Sequence, residues 1–309
     1  TACVNGRCRA GASPVAWRAD GTRPVNEQTE LDIAAGRRLL RVASNEAGES
    51  LAAIVTGGDE LDLVVTPASR GRGVASEILG DLLPDEPETV SAWSHGDHPA
   101  AARLAATHDF VAARRLLRLV LRDARAGRID EPGRQVDARR ASKAALRPEH
   151  TSRAADRIRV DAFRATDADE EESWLRLNAR IFADHPEQGR VTLADLHDRM
   201  AEAWFTPEDF LVARDEHGAI VGYNWTKVES GAGQAEGEIY VLGVAPERHG
   251  QGLGRRLLDA GLDRLARRGC TTITLYVEGD NEPALGLYRA AGFTDDLADT
   301  QYRRRSAVA

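Results

Sequence analysis

The stretch EIYVLGVAPERHGQGLG, Glu238 to Gly254, decides the fold. Ile239, Tyr240, Val241, Leu242 and Val244 make an apolar run of strand length. Pro246 ends it, Gly250, Gly252 and Gly254 clear side chains from a loop, and an apolar-periodic helix begins at Leu253. A loop of this kind aims backbone N–H groups outward at the positive end of a helix, where an anion such as a pyrophosphate is held. Two familiar phosphate loops do not fit. A Walker loop needs G-x-x-x-x-G-K-[ST], and no lysine follows Gly254; a dinucleotide fingerprint needs G-x-G-x-x-G, and these glycines are spaced by two.

The pattern occurs twice. Leu61 to Val65 is a second apolar run, Pro67 follows, and Arg70-Gly71-Arg72-Gly73-Val74-Ala75 opens another helix. In each copy a proline stands three residues before the head of the loop, Arg70 in one and His249 in the other. Strand, proline, glycine loop and helix recurring together read as two copies of one domain.

Length agrees, since 309 residues suit two domains of about 150 each. The divisions expected are 1–122, a connector at 123–159, and 160–309. The connector is charged, rich in Ala and Arg, and broken by Pro132, Gly133 and Pro148. A net charge of -8 excludes a general nucleic-acid binder. Lys143 and Lys227 are the only lysines, which singles out Lys227 among basic residues that are otherwise arginine. No apolar run nears the length of a membrane span, and no signal peptide opens the chain, so a cytoplasmic protein is expected. Cys3, Cys8 and Cys270 are odd in number and lack metal spacing, so no metal is expected. Cys270 opens an apolar strand and reads as a buried small residue.

In chain order, Pro24 to Leu40 reads as a helix leading toward a strand, and Arg38–Ala43 with Leu51–Thr56 as a hairpin turning at Asn45 to Gly48. Strand Val90–Ser94, helix Pro99–Thr107 and strand Phe110–Leu121 complete the first copy. Strand Val160–Phe163, helices Glu170–Phe182 and Leu193–Trp204, and an antiparallel pair Phe210–Arg214 and Ala219–Val228 begin the second. Glu238–Val244, Leu253–Arg268, Thr271–Val277, Pro283–Ala291 and Gln301–Arg305 then alternate strand and helix. The fold class expected is α+β, two tandem domains each built on a mixed, mostly antiparallel sheet flanked by helices.

The loop His249-Gly250-Gln251-Gly252-Leu253-Gly254 resembles the R/Q-x-x-G-x-G/A loop of the GCN5-related N-acetyltransferases (GNAT), with His249 where Arg or Gln is usual. Asn281-Glu282-Pro283-Ala284-Leu285-Gly286-Leu287-Tyr288, closed by Gly292-Phe293, resembles that family's N-x-x-A-x-x-x-Y segment. The resemblance implies acetyl-CoA as donor. It puts the donor against Leu242, Gly243 and Val244, His249 to Arg255, and Asn281 to Gly286. In the first copy the matching positions are Leu63, Val64, Val65, Arg70, Gly71, Arg72, Gly73, Val74 and Ala75.

Acetyl transfer to an amine needs a base for the ammonium, stabilisation of the carbonyl oxygen and a proton for the departing thiolate. Glu238, opening the central strand near the loop, is the candidate base. Tyr288 is the candidate acid, since a neutral phenol can donate to a thiolate. Aligning the copies places Asp59 opposite Glu238, His98 opposite Asn281 and Ala105 opposite Tyr288. An alanine supplies no acid, so the first domain is expected to be degenerate and non-catalytic.

A narrower resemblance rests on HPEQG (His185–Gly189), EAWF (Glu202–Phe205), NWTKV (Asn224–Val228), GEIYVLGVAP (Gly237–Pro246), LYVEGDN (Leu275–Asn281) and Asp299-Thr300-Gln301-Tyr302. In the first half it rests on Asp20 to Gln28, the Arg70 loop and Trp93-Ser94-His95-Gly96. These segments are similar to those of the mycothiol synthases, a tandem-domain GNAT family. The resemblance implies transfer of acetyl to the cysteinyl amine of cysteinyl-glucosaminyl-inositol; separately, a monomer is expected. It assigns Glu27, Glu187, Lys227, Glu238 and Tyr276 to that substrate. Singly, each is an ordinary surface or turn residue; their joint occurrence in matched segments makes the assignment. Because the loop reports the donor and not the acceptor, two readings compete: an N-acetyltransferase for another small molecule or a protein N-terminus, and a non-catalytic CoA-binding sensor.

Overall fold

The computed structural model describes residues 25–85, 89–122, 158–183, 185, 188–229 and 235–305. Residues 1–24, Glu187 and nearly all of the expected connector lie outside that set. The chain divides into two compact units. Unit 1 runs to Arg118 and takes in Val277–Glu282 and Asp296 onward, while unit 2 comprises Leu119–Tyr276 and Pro283–Asp295. Two short segments late in the sequence therefore belong to the first unit.

In unit 1, Asn26 caps helix α1 (Glu27–Ala34), its side chain accepting from the Thr29 N–H. Strands β1 (Leu39–Ser44) and β2 (Ser50–Gly57) form the expected hairpin. Asn45 holds its turn, donating to the Glu49 carboxylate and accepting from the Glu49 N–H. Strand β3 (Glu60–Val65) pairs antiparallel with β2 in an unbroken register, and parallel with β4 (Ser91–Ser94) only through Glu60↔Ser91 and Leu61↔Ala92. Helices α2 (Val74–Leu82) and α3 (Pro99–Thr107) follow β3 and β4, and strand β5 (Phe110–Leu121) comes next. Ile54, Leu61, Leu79, Leu83, Val90 and Phe110 form the core. A buried Arg38–Asp62 ion pair at 2.9 Å, bridged by the Thr29 hydroxyl, ties α1 to the sheet.

Unit 2 opens with β6 (Arg159–Ala162), α4 (Ala168–Ile181) and α5 (Leu193–Met200), then β7 (Phe210–Arg214), β8 (Ile220–Glu229) and β9 (Glu236–Val244). Helix α6 (Leu253–Arg267), strand β10 (Thr272–Glu278) and helix α7 (Glu282–Ala290) follow. Strands β6 to β9 are antiparallel in chain order, and β10 is parallel to β9. An aromatic core of Trp174, Phe210, Tyr223 and Trp225 fills one side, with the Phe210 and Trp225 rings stacked 4.3 Å apart. On the other side α6 lies close to β8, because Gly261 carries no side chain to overlap the Asn224 amide, which donates to Leu257 O. Cys270 is fully buried, as expected, and forms no disulfide among the described residues. Among the described residues no helix is long and apolar enough to cross a membrane.

Several element boundaries differ from the sequence reading, two of them markedly. Helix α5 stops at Met200 and not at Trp204. A turn closed by Phe205 N–H to Glu202 O lays Trp204 and Phe205 against Trp225, each at 5.8 Å. The last strand, β11, spans Thr294–Arg304 and does not wait for Gln301. Its first half, TDDLADT, shows no apolar alternation. The carboxylates are matched individually: Asp295 with Arg289, Asp296 with Arg118, and Asp299 with His95. Its second half pairs antiparallel with β4, from Thr300↔Ser94 to Arg303↔Ser91.

Candidate active site

The two glycine loops have one backbone. Gly71 and Gly250 both take φ +71°, and Gly73 and Gly252 take +83° and +78°, a left-handed conformation suited to glycine. Each helix begins at the next residue, and its first N–H to find a helical acceptor is the fourth after that glycine: Glu77 on Gly73 O, Arg256 on Gly252 O. The three preceding N–H groups, those of Leu253, Gly254 and Arg255 in unit 2, precede any intrahelical bond. They form the positive pole at which a phosphate fits. The heads of the loops also act alike. Arg70 Nε donates to Val65 O at 3.1 Å, and the His249 ring, through Nε2, meets Val244 O at 3.0 Å, so both cap the last carbonyl of the preceding strand. This explains why histidine can stand at the Arg/Gln position: one N–H donor within reach of that carbonyl is what the turn requires.

The central strand β9 is not regular. Its pairing with β8 runs Gly222↔Val244, Asn224↔Leu242 and Trp225↔Val241, then skips Tyr240 to continue Thr226↔Ile239 and Lys227↔Glu238. The bulge changes which face each side chain takes. Simple alternation puts Glu238 with Leu242 and Val244. The register instead puts Glu238 with Val241 and Gly243, on the face that carries Trp225 and Lys227. Glu238 is also the parallel partner of Thr274 on β10, so Lys227, Glu238 and Thr274 form a row across three strands. Tyr276, two residues beyond Thr274 and 46% exposed, continues that face. The β9–β10 ladder ends at Leu275↔Ile239, so it does not take up the backbone groups of Tyr240 to Val244 on that side.

Lys227 is buried to 4% exposure and sits in an aromatic box, its Nζ 4.9 Å from the Trp204 ring and 5.6 Å from Tyr240. Arg199 Nε donates to the Tyr240 hydroxyl at 3.1 Å. The early end of α5 and the bulge thus serve the same place: one delivers Trp204 to Lys227, the other Tyr240. The sequence reading quoted EAWF and the strand but gave Arg199, Trp204 and Tyr240 no part. Only the register, which a single sequence does not print, brings them together.

Tyr288 lies on α7, 6% exposed, with Phe293 packed edge-on at 6.0 Å. Burial pushes its hydroxyl up to about 12. An unfolded tyrosine titrates near 10, so between these values the folded chain holds a proton that the unfolded chain has released, and stability falls as pH rises. The loss reaches roughly 2 kcal/mol by pH 12. Denaturant unfolding between pH 10 and 12 is expected to show a shallower decline in Tyr288→Phe than in the wild type, with the fully buried Tyr223, also raised by burial, contributing equally to both.

Asn281 donates its N–H to Glu278 O just before α7, and Glu282 to Gly286 make the first turns of that helix. Glu27 is the first residue of α1. Glu187 falls outside the described residues.

In unit 1 a cavity of 660 Å³ opens where β3 and β4 cease to pair. Every expected donor-binding residue of this unit except Arg72 lines it, as do His98 and Ala105. Ala105 brings no hydroxyl. Asp59, as far from its loop as Glu238 is from the other, lies in the turn before β3, where its carbonyl accepts from Ser91.

Comparison with known proteins fits this geometry. The family described as the Acetyltransferase (GNAT) family matches residues 170–293. A mycothiol acetyltransferase of Clavibacter sepedonicus is 45% identical over 92% of this chain and 87% of its own. One from a Nocardioides species is 40% identical over 96% of both chains. Among solved structures, a tandem GNAT protein from the clavulanic acid biosynthesis pathway superposes with a TM-score of 0.61 at 17% identity, covering 94% of this chain and 91% of that one. A GCN5-related N-acetyltransferase from Sphaerobacter thermophilus gives 0.59 at 20% identity, over 94% and 89%. At those identities the structural matches establish the fold alone.

Proposed function

Since the chain belongs to the mycothiol acetyltransferases, tandem members of the GNAT family, we propose that it transfers acetyl from acetyl-CoA to the cysteinyl amine of cysteinyl-glucosaminyl-inositol, giving mycothiol and CoA by direct transfer in a ternary complex. The observation that carries the reading is the row Lys227, Glu238 and Thr274 across β8, β9 and β10, whose middle strand leads into the glycine loop. It offers a carboxylate for an amine and a lysine for hydroxyls on a single face.

In this reading the loop amides and the start of α6 hold the donor's pyrophosphate, and the free edge of β9 from Leu242 to Val244 orients the acyl arm. Glu238 accepts the proton of the cysteinyl ammonium, directly or through one water, and the amine attacks the thioester carbonyl. Tyr288 gives its proton to the departing thiolate. A phenol titrating at about 12 is a weak acid, but the burial that disfavours its anion also disfavours a thiolate beside it, so the difference between the two is smaller than either shift. Lys227, Tyr276, Glu187 and Glu27 take the sugar, the inositol and the amine by hydrogen bonding. Unit 1 keeps the phosphate-binding loop and lacks both the acid and the base, so it binds without catalysing.

Lys227→Met keeps the stem inside its aromatic box and removes the ammonium. The KM for the cysteinyl sugar is expected to rise about tenfold or more, as loss of a hydrogen bond from a charged group would give, with the KM for acetyl-CoA unchanged. The function itself is tested by offering purified protein and acetyl-CoA a panel of amines and weighing the products. Preference for a peptide N-terminus would overturn the acceptor. CoA release that does not depend on any amine would overturn the transfer.

A further inference from the structure

Tyr240 is the residue that the β8–β9 register skips, so the ladder does not by itself fix where its side chain lies. Its ring nonetheless makes one wall of the Lys227 box, tilted against Trp204 at 5.2 Å and edge-on to Trp225 at 5.5 Å. Arg199 holds the hydroxyl end. Its Nε donates to the Tyr240 hydroxyl at 3.1 Å, and its Nη1 donates to Asp195 O, one turn back on α5, at 3.0 Å. Asp195 is itself tied down, its carboxylate closing a capping box with Thr192 at the start of that helix. The planar guanidinium thus reaches from a braced helix to the bulge with two donors in fixed geometry. What it holds there matters for phase. Were the skip lost, regular pairing would set Lys227 opposite Ile239 and turn Glu238 to the other face of the sheet.

We propose that Arg199 is a positioning residue for the acceptor: by pinning the Tyr240 hydroxyl it keeps the skip in β9 in place, which leaves the Tyr240 ring beside Lys227 and Glu238 on the face of Lys227. This rests on the reading of Lys227 and Glu238 as groups that take the acceptor, and adds the residue that sets them. Arg199 acts through Tyr240, so removal of either partner costs the same interaction.

The test is a double-mutant cycle in steady-state kinetics of the full chain, with both substrates varied. Arg199→Met keeps the stem and removes the guanidinium, while Tyr240→Phe keeps the ring and removes the hydroxyl. Each is expected to raise the KM for the cysteinyl sugar by about three- to tenfold, since only part of a hydrogen bond's worth reaches a substrate that Arg199 does not touch. The KM for acetyl-CoA should stay unchanged. The double variant should be no worse than the more impaired single one, because the second change removes nothing that the first left. Arg199→Lys, which returns a charged donor without the fork, should recover part of the loss. A merely structural role would lower kcat through the folded fraction and leave both KM values alone. That result, or losses that multiply in the double variant, would overturn the proposal while sparing Lys227, whose part Lys227→Met reads separately. An acceptor KM unchanged in Lys227→Met would remove the reading beneath the proposal, and the proposal with it.

Discussion

Glu238→Gln is expected to lower kcat by about a hundredfold or more, the usual contribution of a positioned general base, with acetyl-CoA binding intact. Glutamine preserves volume and hydrogen bonding on the face shared with Lys227 and Thr274, so the loss would report proton transfer and not disorder. The residual rate should climb steeply with pH toward the pKa of an amino group near 8 and level off above it, because an amine already neutral needs no base. Steady-state kinetics from pH 6 to 10, with both substrates varied, read this directly. Turnover equal to that of the wild type at neutral pH would remove Glu238 from the role of base and leave it as a ligand for the acceptor.

Tyr288→Phe should rank second, with a fall in kcat of roughly ten- to a hundredfold, at the low end of general acid catalysis. A thiolate is a tolerable leaving group without protonation, so the acid matters less than the base. Two readouts separate this from a packing effect. The ring stays against Phe293, so thermal stability at neutral pH should change little. A donor with a more acidic thiol should also lose less of its rate in the variant, since it depends less on the phenol. An equal loss for every donor would mean that the hydroxyl orients and does not protonate.

Much of this was legible in the sequence, and the exceptions have physical causes. The glycine loops could be read because φ above zero at Gly71, Gly73, Gly250 and Gly252 leaves the sequence few alternatives. Helix α3 and strand β5 were bounded to the residue, their ends marked by Pro99 and by apolar runs. Strand β11 escaped because Asp296 and Asp299 are satisfied by Arg118 and His95, far away in sequence, which no local pattern reveals. The Lys227 box escaped for a related reason. Trp204 follows a helix that ends early, and Tyr240 occupies a bulge, so neither helical nor strand periodicity points to Lys227. Lys227 and Glu238 could be named one by one, but that they face each other is a property of register.

The skipped residue at Tyr240 also says how such a duplicated chain can diverge. In unit 1 the β2–β3 register carries no skip. There the position as far from the loop as Glu238 is Asp59, which lies in the turn before β3, so a glutamate substituted there would stand on a hairpin turn and not within a strand.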